Sequence, residues 1–304
     1  MTEHVSATIG ATPLIKLERL SEEVGATVYV KFEASNPGGS IKDRAAMNMI
    51  DAAEARGEIA PGRSVLVEPT SGNTGIGIAM IGAARGYDVV LTMPESMSKE
   101  RRMLLAAYGA KLVLTPAAEG MAGAVAEAER IERETPGAWI VGQFTNPDNP
   151  AAHEKTTGPE IKKALGGVNP DYVVAAAGTG GTISGVGKTL KARVDGVKVI
   201  AVEPFDSPLI SKGYAGAHKL QGIGANFLPA TLNKSVLDDV IAVKTEEAYF
   251  AARLFARTEG FTVGISGGAA LFAATEVLKR NPGKRVLVLL PDGGDRYLST
   301  DLYE

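Results

Sequence analysis

The sequence of 304 residues contains no cysteine and only three histidines, which excludes several kinds of chemistry. Without cysteine there is no disulfide framework, no thiolate metal site and no catalytic thiol. The histidines, His4, His153 and His218, are widely separated and lack the spacing of metal ligands. Catalysis by a thiol or by a histidine-bound metal is therefore not expected.

The sequence also lacks a large excess of either charge and lacks long apolar runs. The 32 basic and 35 acidic residues are interspersed and give a net charge of −3, so there is no basic footprint for nucleic acid. No apolar run approaches the length of a membrane span. The N-terminus, with acidic Glu3, does not resemble a signal peptide. The sequence predicts a cytoplasmic protein that binds neither nucleic acid nor a membrane.

Short apolar runs alternate with helical patterns along the chain, which predicts an α/β fold. This alternation is typical of parallel sheets covered by helices on both faces, and a chain of this length favours two lobes. The proline-rich residues 146–150 are the best lobe boundary. The predicted strands are residues 28–32, 65–67, 89–92, 112–114, 172–177, 197–202, 240–243 and 286–290, and the clearest helices are 120–134 and 246–257.

A single lysine follows a tight turn and begins a helical pattern. The turn is Asn36-Pro37-Gly38-Gly39, and Ser40 is the predicted N-cap of the helix. Lys42 would lie in the first helical turn, where the helix dipole favours loss of its proton. One interpretation is a solvated lysine that points at water. The other is an amine that forms a Schiff base with an aldehyde cofactor.

Two glycine-rich segments each follow an apolar strand and precede a helical pattern. They are Thr70-Ser71-Gly72-Asn73-Thr74-Gly75 and Gly178-Thr179-Gly180-Gly181-Thr182. A strand, a glycine turn and a helix together direct backbone N–H groups at one point, which suits an anion. Two such loops can hold a substrate carboxylate and a cofactor phosphate. Alternatively, the small residues merely permit the tight turns that any α/β protein needs.

The spacing of the glycines disfavours ATP and NAD as the phosphate ligand. Gly187-Lys188-Thr189 has the end of a P-loop, but Thr182 occupies the position of its first glycine. A dinucleotide fingerprint that begins at Gly178 requires a glycine where Ile183 occurs. A compact phosphate, such as that of pyridoxal phosphate, fits the short loop better.

Eight segments, spread from one end of the chain to the other, form one ordered set. They are residues 9–14, 36–44, 70–75, 143–147, 178–182, 218–225, 264–268 and 291–300. Together they resemble the signature segments of the fold-type II pyridoxal-phosphate enzymes, and more narrowly those of the cysteine synthases (O-acetylserine sulfhydrylases). The resemblance implies two lobes, each a mainly parallel sheet covered by helices, as in the tryptophan synthase β-like fold, with pyridoxal 5′-phosphate as cofactor.

The resemblance also implies roles for individual residues. Lys42 is the expected Schiff-base lysine and the base that removes the substrate α-proton. Ser266 would face the pyridine nitrogen, although a serine among glycines is more often a helix cap. The expected substrate contacts are Thr70, Ser71, Gly72, Asn73 and Gln143, and the expected cofactor contacts are Lys42, Asn73, Gly178, Thr179, Gly180, Gly181, Thr182 and Ser266.

The activity that the resemblance implies is a β-replacement that makes L-cysteine and acetate from O-acetyl-L-serine and sulfide. A neutral hydroxyl at the ring nitrogen leaves the pyridine unprotonated, and this weaker electron sink favours loss of the β-substituent over transamination. Cystathionine β-synthase and a sulfide-releasing cysteine β-lyase are alternatives on the same scaffold. An NAD-dependent dehydrogenase is the alternative from another class, and the failed fingerprint argues against it.

Three positions depart from the family pattern. Gly267 and Gly293 occupy positions where family members usually have serine, and they could widen a pocket wall or loosen a turn. Asn226 occupies a position where a small residue is common, so it would add a polar group near the mouth of the site. Substrate preference is the property that these changes would affect.

The resemblance further implies unequal lobes and protein partners. The smaller lobe, residues 35–146, would move and contain the substrate-carboxylate loop. The larger lobe would join residues 1–34 to 147–304 and contain the phosphate cup, with Lys42 in the cleft between lobes. A homodimer is expected, and the tail of a serine acetyltransferase is a plausible regulatory partner.

Overall fold

The computed structural model describes residues 4–70, 72–97 and 99–304, which divide into two compact units. The first unit is Asn36–Ala152 with the described part of residues 1–9, and the second is Gly10–Ser35 with His153–Glu304. Each unit contains one sheet with helices on its faces, which confirms the predicted α/β fold class. Movement of a smaller lobe stays a prediction.

The strands of the described residues are three to seven residues long, which is the usual range in globular proteins. They are β1 (Leu14–Leu17), β2 (Thr27–Phe32), β3 (Val65–Pro69), β4 (Asp88–Pro94), β5 (Lys111–Thr115), β6 (Ala138–Ile140), β7 (Tyr172–Ala176), β8 (Lys198–Pro204), β9 (Asp239–Val243) and β10 (Arg285–Leu290).

The helices of the described residues fall mostly between these strands. They are α1 (Glu18–Val24), α2 (Lys42–Ala55), α3 (Asn73–Arg85), α4 (Lys99–Ala107), α5 (Gly120–Glu134), α6 (Asp148–Ala152), α7 (Gly158–Ala164), α8 (Gly181–Lys191), α9 (Leu209–Lys212), α10 (Thr245–Glu259) and α11 (Ile265–Arg280). Short 3₁₀ segments occur at Val5–Thr8, Glu33–Ser35, Ala117–Glu119, Lys234–Val236, Gly294–Tyr297 and Asp301–Tyr303, and residues His153–Thr157 form a π-helical segment.

The sheet of the first unit has the strand order β5-β4-β3-β6 and is parallel throughout. Successive side chains of a strand point to opposite faces, so each face has its own core. Leu66 of β3 packs with apolar residues of α2 and α3, whereas Val67 packs with Ala128 and Ile131 of α5. Glu68, the next residue of β3, therefore points to the same face as Leu66.

The sheet of the second unit has the order β1-β2-β10-β7-β8-β9, in which only β1 is antiparallel to its neighbour. One face packs on α10 and α11 and the other on α7 and α8. Val174 and Val173 of β7 illustrate the two faces, since each is fully buried in a different core. The central strands β10 and β7 end side by side, which places the segments that follow them at one edge of the sheet.

Candidate active site

Lys42 is the first residue of α2, as the sequence predicts, and it is half-buried. The preceding turn is closed by Gly39 N, which donates to Asn36 O at 2.7 Å. The predicted cap is wrong by one residue: Ile41 is the N-cap and makes no side-chain capping bond. The Ser40 hydroxyl instead accepts a hydrogen bond from Lys42 N at 3.2 Å. The hydroxyl still satisfies an N–H group at the start of the helix.

A buried aspartate holds the turn against the helix that follows it. The carboxylate of Asp43, which is 0 % exposed, accepts from Gly38 N at 2.6 Å. A side chain at Gly38 would overlap the Asp43 carboxylate, so glycine is required here for close approach. Asp43 and Ala46 also lie against Gly77 of α3. This contact places the turn that presents Lys42 beside the first turns of α3.

The first glycine-rich loop connects β3 to α3 within the same unit. Thr70 is buried, and its hydroxyl accepts from Gly72 N at 3.2 Å. Gly72 is the N-cap of α3, so Asn73 is the first helical residue and the loop ends at a helix N-terminus. Ser71, another predicted substrate contact, lies outside the described residues. The backbone arrangement is the one expected for a carboxylate site.

Gln143 follows β6 and is bound to the same helix N-terminus. The hydroxyl of Thr74 donates to Gln143 Oε1 at 2.6 Å, and both residues are buried. Asn149 Nδ2 donates to the carbonyl oxygen of Gln143 at 2.7 Å. The structure therefore brings Gln143 together with the loop at 70–75, although the two segments are about seventy residues apart in sequence.

A buried glutamate, Glu68, lies beneath Gln143. Its carboxylate accepts from Gly142 N at 2.7 Å and from Gln143 N at 3.3 Å. Burial raises the pKa of Glu68 to about 7, against the opposing effect of these amide hydrogen bonds. Sequence reasoning missed Glu68 and Thr74. An acidic residue in an otherwise apolar strand was the available signal for Glu68.

The second glycine-rich loop connects β7 to α8 in the other unit. Gly180 is the N-cap of α8 with φ +79°, a left-handed conformation that favours glycine. A side chain at Gly178 would overlap the carbonyl oxygen of Gly222, and one at Gly180 would lie 2.6 Å from Leu232 Cβ. The hydroxyl of Thr231 donates to Thr179 O at 2.6 Å and fixes the loop from outside. This loop, called the glycine cradle below, therefore packs closely against Gly222 and Leu232 and ends at the N-terminus of α8.

Thr182, in the first turn of α8, is adjacent to a buried histidine. His153 Nε2 lies 3.3 Å from Thr182 Oγ1, and His153 Nδ1 lies 2.9 Å from Thr157 Oγ1. His153 is 1 % exposed and begins the π-helical segment. Such segments are frequent at functional sites. The histidine therefore orients a hydroxyl of the predicted phosphate cup, a role that its isolated position in the sequence does not indicate.

Ser266 lies in the first turn of α11, at the same sheet edge as the loop at 178–182. The N-cap of α11 is Gly264, whose N–H donates to Asp292 O just beyond β10, the neighbour of β7. Ser266 is 5 % exposed, and its hydroxyl makes no hydrogen bond to another described residue. The interpretation of Ser266 as a helix cap is therefore wrong, because Gly264 occupies that position.

The three residues that depart from the family pattern, Gly267, Gly293 and Asn226, lie in different surroundings. A side chain at Gly267 would meet Val263 and Leu290, so this glycine faces the core of its unit. A side chain at Gly293 would meet the carboxylate of Asp295. Asn226 adopts a left-handed conformation with φ +62°, and its Oδ1 accepts from the Ser207 hydroxyl at 2.8 Å. Asn226 thus stabilises a loop through its own backbone and side chain.

Comparison with known proteins identifies the class of enzyme. The family model described as pyridoxal-phosphate dependent enzyme matches residues 5–292. The chain belongs to this family and uses pyridoxal phosphate as its cofactor. A dehydrogenase is therefore not supported.

Individual relatives point to a narrower group. A cysteine synthase from Staphylococcus aureus is 50% identical over 302 residues, which cover 99% of this chain and 97% of that protein. The crystal structure of a cysteine synthase from Entamoeba histolytica is 40% identical with a TM-score of 0.95, covering 100% of this chain and 91% of the other. A hydrogen sulfide-producing enzyme from Fusobacterium nucleatum is 41% identical with a TM-score of 0.93, covering 98% and 100%.

The residues present fit pyridoxal phosphate. The glycine cradle at 178–182 offers N–H donors at a helix N-terminus, which suits the phosphate. The Ser266 hydroxyl is buried and keeps its hydrogen-bonding capacity for a ligand. Lys42 supplies an amine that can react with the aldehyde.

Among the described residues, no group of three His, Asp or Glu side chains could hold a metal ion. In the same part of the chain, no helix has both the length and the apolar character needed to cross a membrane.

Proposed function

We propose that this protein synthesises L-cysteine and acetate from O-acetyl-L-serine and sulfide. The observation that supports this most strongly is the 50% identity to a cysteine synthase over nearly the whole of both chains. The first unit supplies the lysine and the helix N-terminus for a carboxylate, and the second supplies the phosphate cradle. Each part corresponds to one chemical group of the substrate or the cofactor.

The loop at 70–75 and Gln143 bind the substrate carboxylate in this proposal. A helix N-terminus and neutral hydrogen-bond donors favour an anion without a buried positive charge. The carboxylate of O-acetyl-L-serine is fixed in the substrate, so this contact orients the α-carbon and the acetyl group. The residues that bind it are Thr70, Ser71, Gly72, Asn73 and Gln143.

The cofactor is bound by Lys42, Asn73, the loop Gly178–Thr182 and Ser266 in this proposal. When bound, pyridoxal phosphate supplies an electron sink for the bond that breaks at the substrate α-carbon. Ser266 contributes a neutral hydroxyl to the pyridine nitrogen and so keeps that nitrogen unprotonated. His153 holds the Thr182 hydroxyl in place for the phosphate.

Lys42 moves the proton of the reaction. Once the amine of Lys42 is free, it is a base that removes the proton from the substrate α-carbon. Acetate then leaves the β-carbon, and sulfide adds to the same carbon. The proton returns to the α-carbon, so that the products are L-cysteine and acetate.

The experiment that tests this function measures each product separately. Purified protein is incubated with pyridoxal phosphate and O-acetyl-L-serine, and acetate release is followed before and after sulfide is added. One equivalent of acetate per active site without sulfide, followed by steady cysteine production with sulfide, is expected. No acetate release would contradict the proposal.

Control substrates distinguish the related activities. Homocysteine as acceptor tests for cystathionine β-synthase, and L-cysteine alone tests for sulfide release. Faster turnover of either control than of O-acetyl-L-serine with sulfide would replace the proposed substrate pair with another on the same scaffold.

The proposal extends to assembly and location. We infer a homodimer in the cytoplasm that binds the tail of a serine acetyltransferase, as the family relation suggests. Light scattering coupled to size exclusion measures the mass of the assembly against the 31.6 kDa chain. Competition between a tail peptide and O-acetyl-L-serine tests the second partner.

A further inference from the structure

We propose that Tyr303 is a positioning residue, which fixes the start of α11 so that the Ser266 hydroxyl meets the pyridine nitrogen of the cofactor. The inference rests on the proposed function, since that function assigns Ser266 to this nitrogen. Tyr303 lies in the 3₁₀ segment Asp301–Tyr303 and is half-buried. Its hydroxyl is bonded to the backbone of Val263, three residues before Ser266, so we expect it to act on the cofactor through the helix.

The Tyr303 hydroxyl bonds both backbone polar groups of Val263. It accepts from Val263 N at 2.9 Å and donates to Val263 O at 2.6 Å. Val263 is fully buried, and buried backbone groups need hydrogen-bond partners. A hydroxyl can donate and accept at the same atom, whereas a phenylalanine ring supplies neither bond. Tyr303 therefore satisfies the N–H and the C=O of one buried residue at once.

These two bonds fix the peptide planes on either side of the Val263 Cα. The N–H belongs to the plane shared with Thr262 and the C=O to the plane shared with Gly264, so both backbone dihedrals of Val263 are held. The second plane is also held at its other end, where Gly264 N donates to Asp292 O at 3.2 Å. Gly264 is the N-cap of α11, and Ser266 is the second residue of this helix. The direction in which α11 begins therefore sets the position of the Ser266 hydroxyl.

Tyr303 is itself held in place by the residues around it. Leu302 is fully buried in the core of the second unit. Arg253 of α10 donates from Nε to Leu302 O at 2.6 Å and also hydrogen-bonds to Asp301 O. A side chain at Gly294 would lie 2.6 Å from the Tyr303 ring and 2.7 Å from its hydroxyl oxygen, so glycine leaves the space that the ring occupies. Because these contacts fix the ring, its hydroxyl can in turn fix the segment before α11.

Hydrogen exchange of the Val263 amide tests the contact without using activity. In the holoenzyme labelled with ¹⁵N-valine, Tyr303→Phe should make this amide exchange about tenfold faster, the effect of losing the hydrogen bond of a buried group. Tyr87→Phe is a matched control, because the Tyr87 hydroxyl donates to Glu54 Oε1 at 2.8 Å in the first unit. The control should leave Val263 exchange at the wild-type rate. Wild-type exchange in Tyr303→Phe would overturn the proposal.

A measurement at the cofactor tests the positioning of Ser266. Pyridoxal phosphate labelled with ¹⁵N in its ring reports hydrogen bonding at that nitrogen through its chemical shift. Ser266→Ala removes the hydroxyl and defines the chemical shift without this bond. Tyr303→Phe should move the signal from the wild-type value towards the Ser266→Ala value, and Tyr87→Phe should leave it unchanged. A wild-type signal in Ser266→Ala would remove Ser266 from the nitrogen and overturn the proposal.

The double variant Ser266→Ala/Tyr303→Phe shows whether Tyr303 acts through Ser266. If it does, adding Tyr303→Phe to Ser266→Ala should not move the ¹⁵N signal further, because the bond that Tyr303 adjusts is already absent. A further displacement would show a general effect on the cofactor site and would overturn the positioning role. A wild-type signal in the single variant Tyr303→Phe would do the same.

A second variant decides the question if Tyr303→Phe does not fold. Arg253→Met keeps an unbranched side chain but removes the bonds to Asp301 O and Leu302 O. It should move the pyridine signal in the direction of Ser266→Ala, and an unchanged signal would overturn the proposal. Failure of the proposed function is seen separately. If the wild-type protein releases no acetate, cysteine synthesis is contradicted, and the pyridine signals still decide whether Tyr303 positions Ser266.

Discussion

The interpretation of Lys42 depends on the residues that surround it. The sequence leaves open whether it is a solvated lysine, and the structure shows a half-buried side chain at a turn fixed by Asp43 and Ser40. The structure thus fixes the turn that presents Lys42, and its role as the Schiff-base lysine stays a prediction.

Replacing Lys42 with alanine should abolish acetate release from O-acetyl-L-serine while the fold is kept. The side chain is not part of an apolar core, so its removal leaves little cavity. Product analysis under the conditions given above measures the loss, and circular dichroism measures the fold. Turnover near the wild-type rate would remove Lys42 from the mechanism.

Asn226 leads to a prediction about stability. Its left-handed backbone is tolerated by asparagine and disfavoured by alanine, and the side chain also binds Ser207. Asn226→Ala should lower the free energy of unfolding by about 1–3 kcal/mol. Asn226→Gly loses only the hydrogen bond and should lower it by about 1 kcal/mol. Denaturant titration compares the two, and equal losses would show that the backbone conformation is not the cause.

The two glycine-rich loops could be predicted from the sequence, because in each of them a strand, a turn and a helix follow one another within a few residues. All eight predicted strands are present. Strands β1 and β6 were not predicted. Lys16 interrupts the apolar pattern of β1, and β6 has only three residues. The bonds of Gln143 to Thr74 and of His153 to Thr182 join segments that no local pattern connects. Only the folded chain shows them.

The loop between β7 and α8 should depend on glycine for space as well as for conformation. Gly180 and Gly196 both have positive φ, but Leu232 faces only the first, and Gly196 lies in open space. The left-handed backbone should cost both alanine variants about 1–2 kcal/mol of stability. Gly180→Ala should lose more than this, because its Cβ overlaps Leu232. Gly180→Ala should also weaken binding of pyridoxal phosphate, because the cradle shifts away from Leu232. The amount of pyridoxal phosphate that each variant retains after dialysis, measured by its absorbance, tests this prediction. Equal retention by the two variants would contradict it.

Glu68 contributes to the pH dependence of global stability. Its pKa in the folded protein is about 7, above its ordinary value of 4.5. Between these values the folded state holds a proton that the unfolded state has lost, so stability falls as pH rises. The full effect is on the order of 3 kcal/mol. Wild type should lose stability relative to Glu68→Gln from pH 4.5 to 7. Denaturant titration at each pH measures this, and parallel curves for the two proteins would contradict it.

The pairing of β2 with β10 has a consequence for the order in which the molecule forms. Thr27 pairs with Arg285, so the second sheet joins the two ends of the chain. The first sheet uses only residues between 65 and 140. During synthesis, that sheet is complete while β2 still lacks its parallel neighbour. Contacts between residues that are distant in sequence form slowly. In a partly synthesised chain, β2 should therefore have an unpaired, exposed edge, and we expect chaperones to bind there.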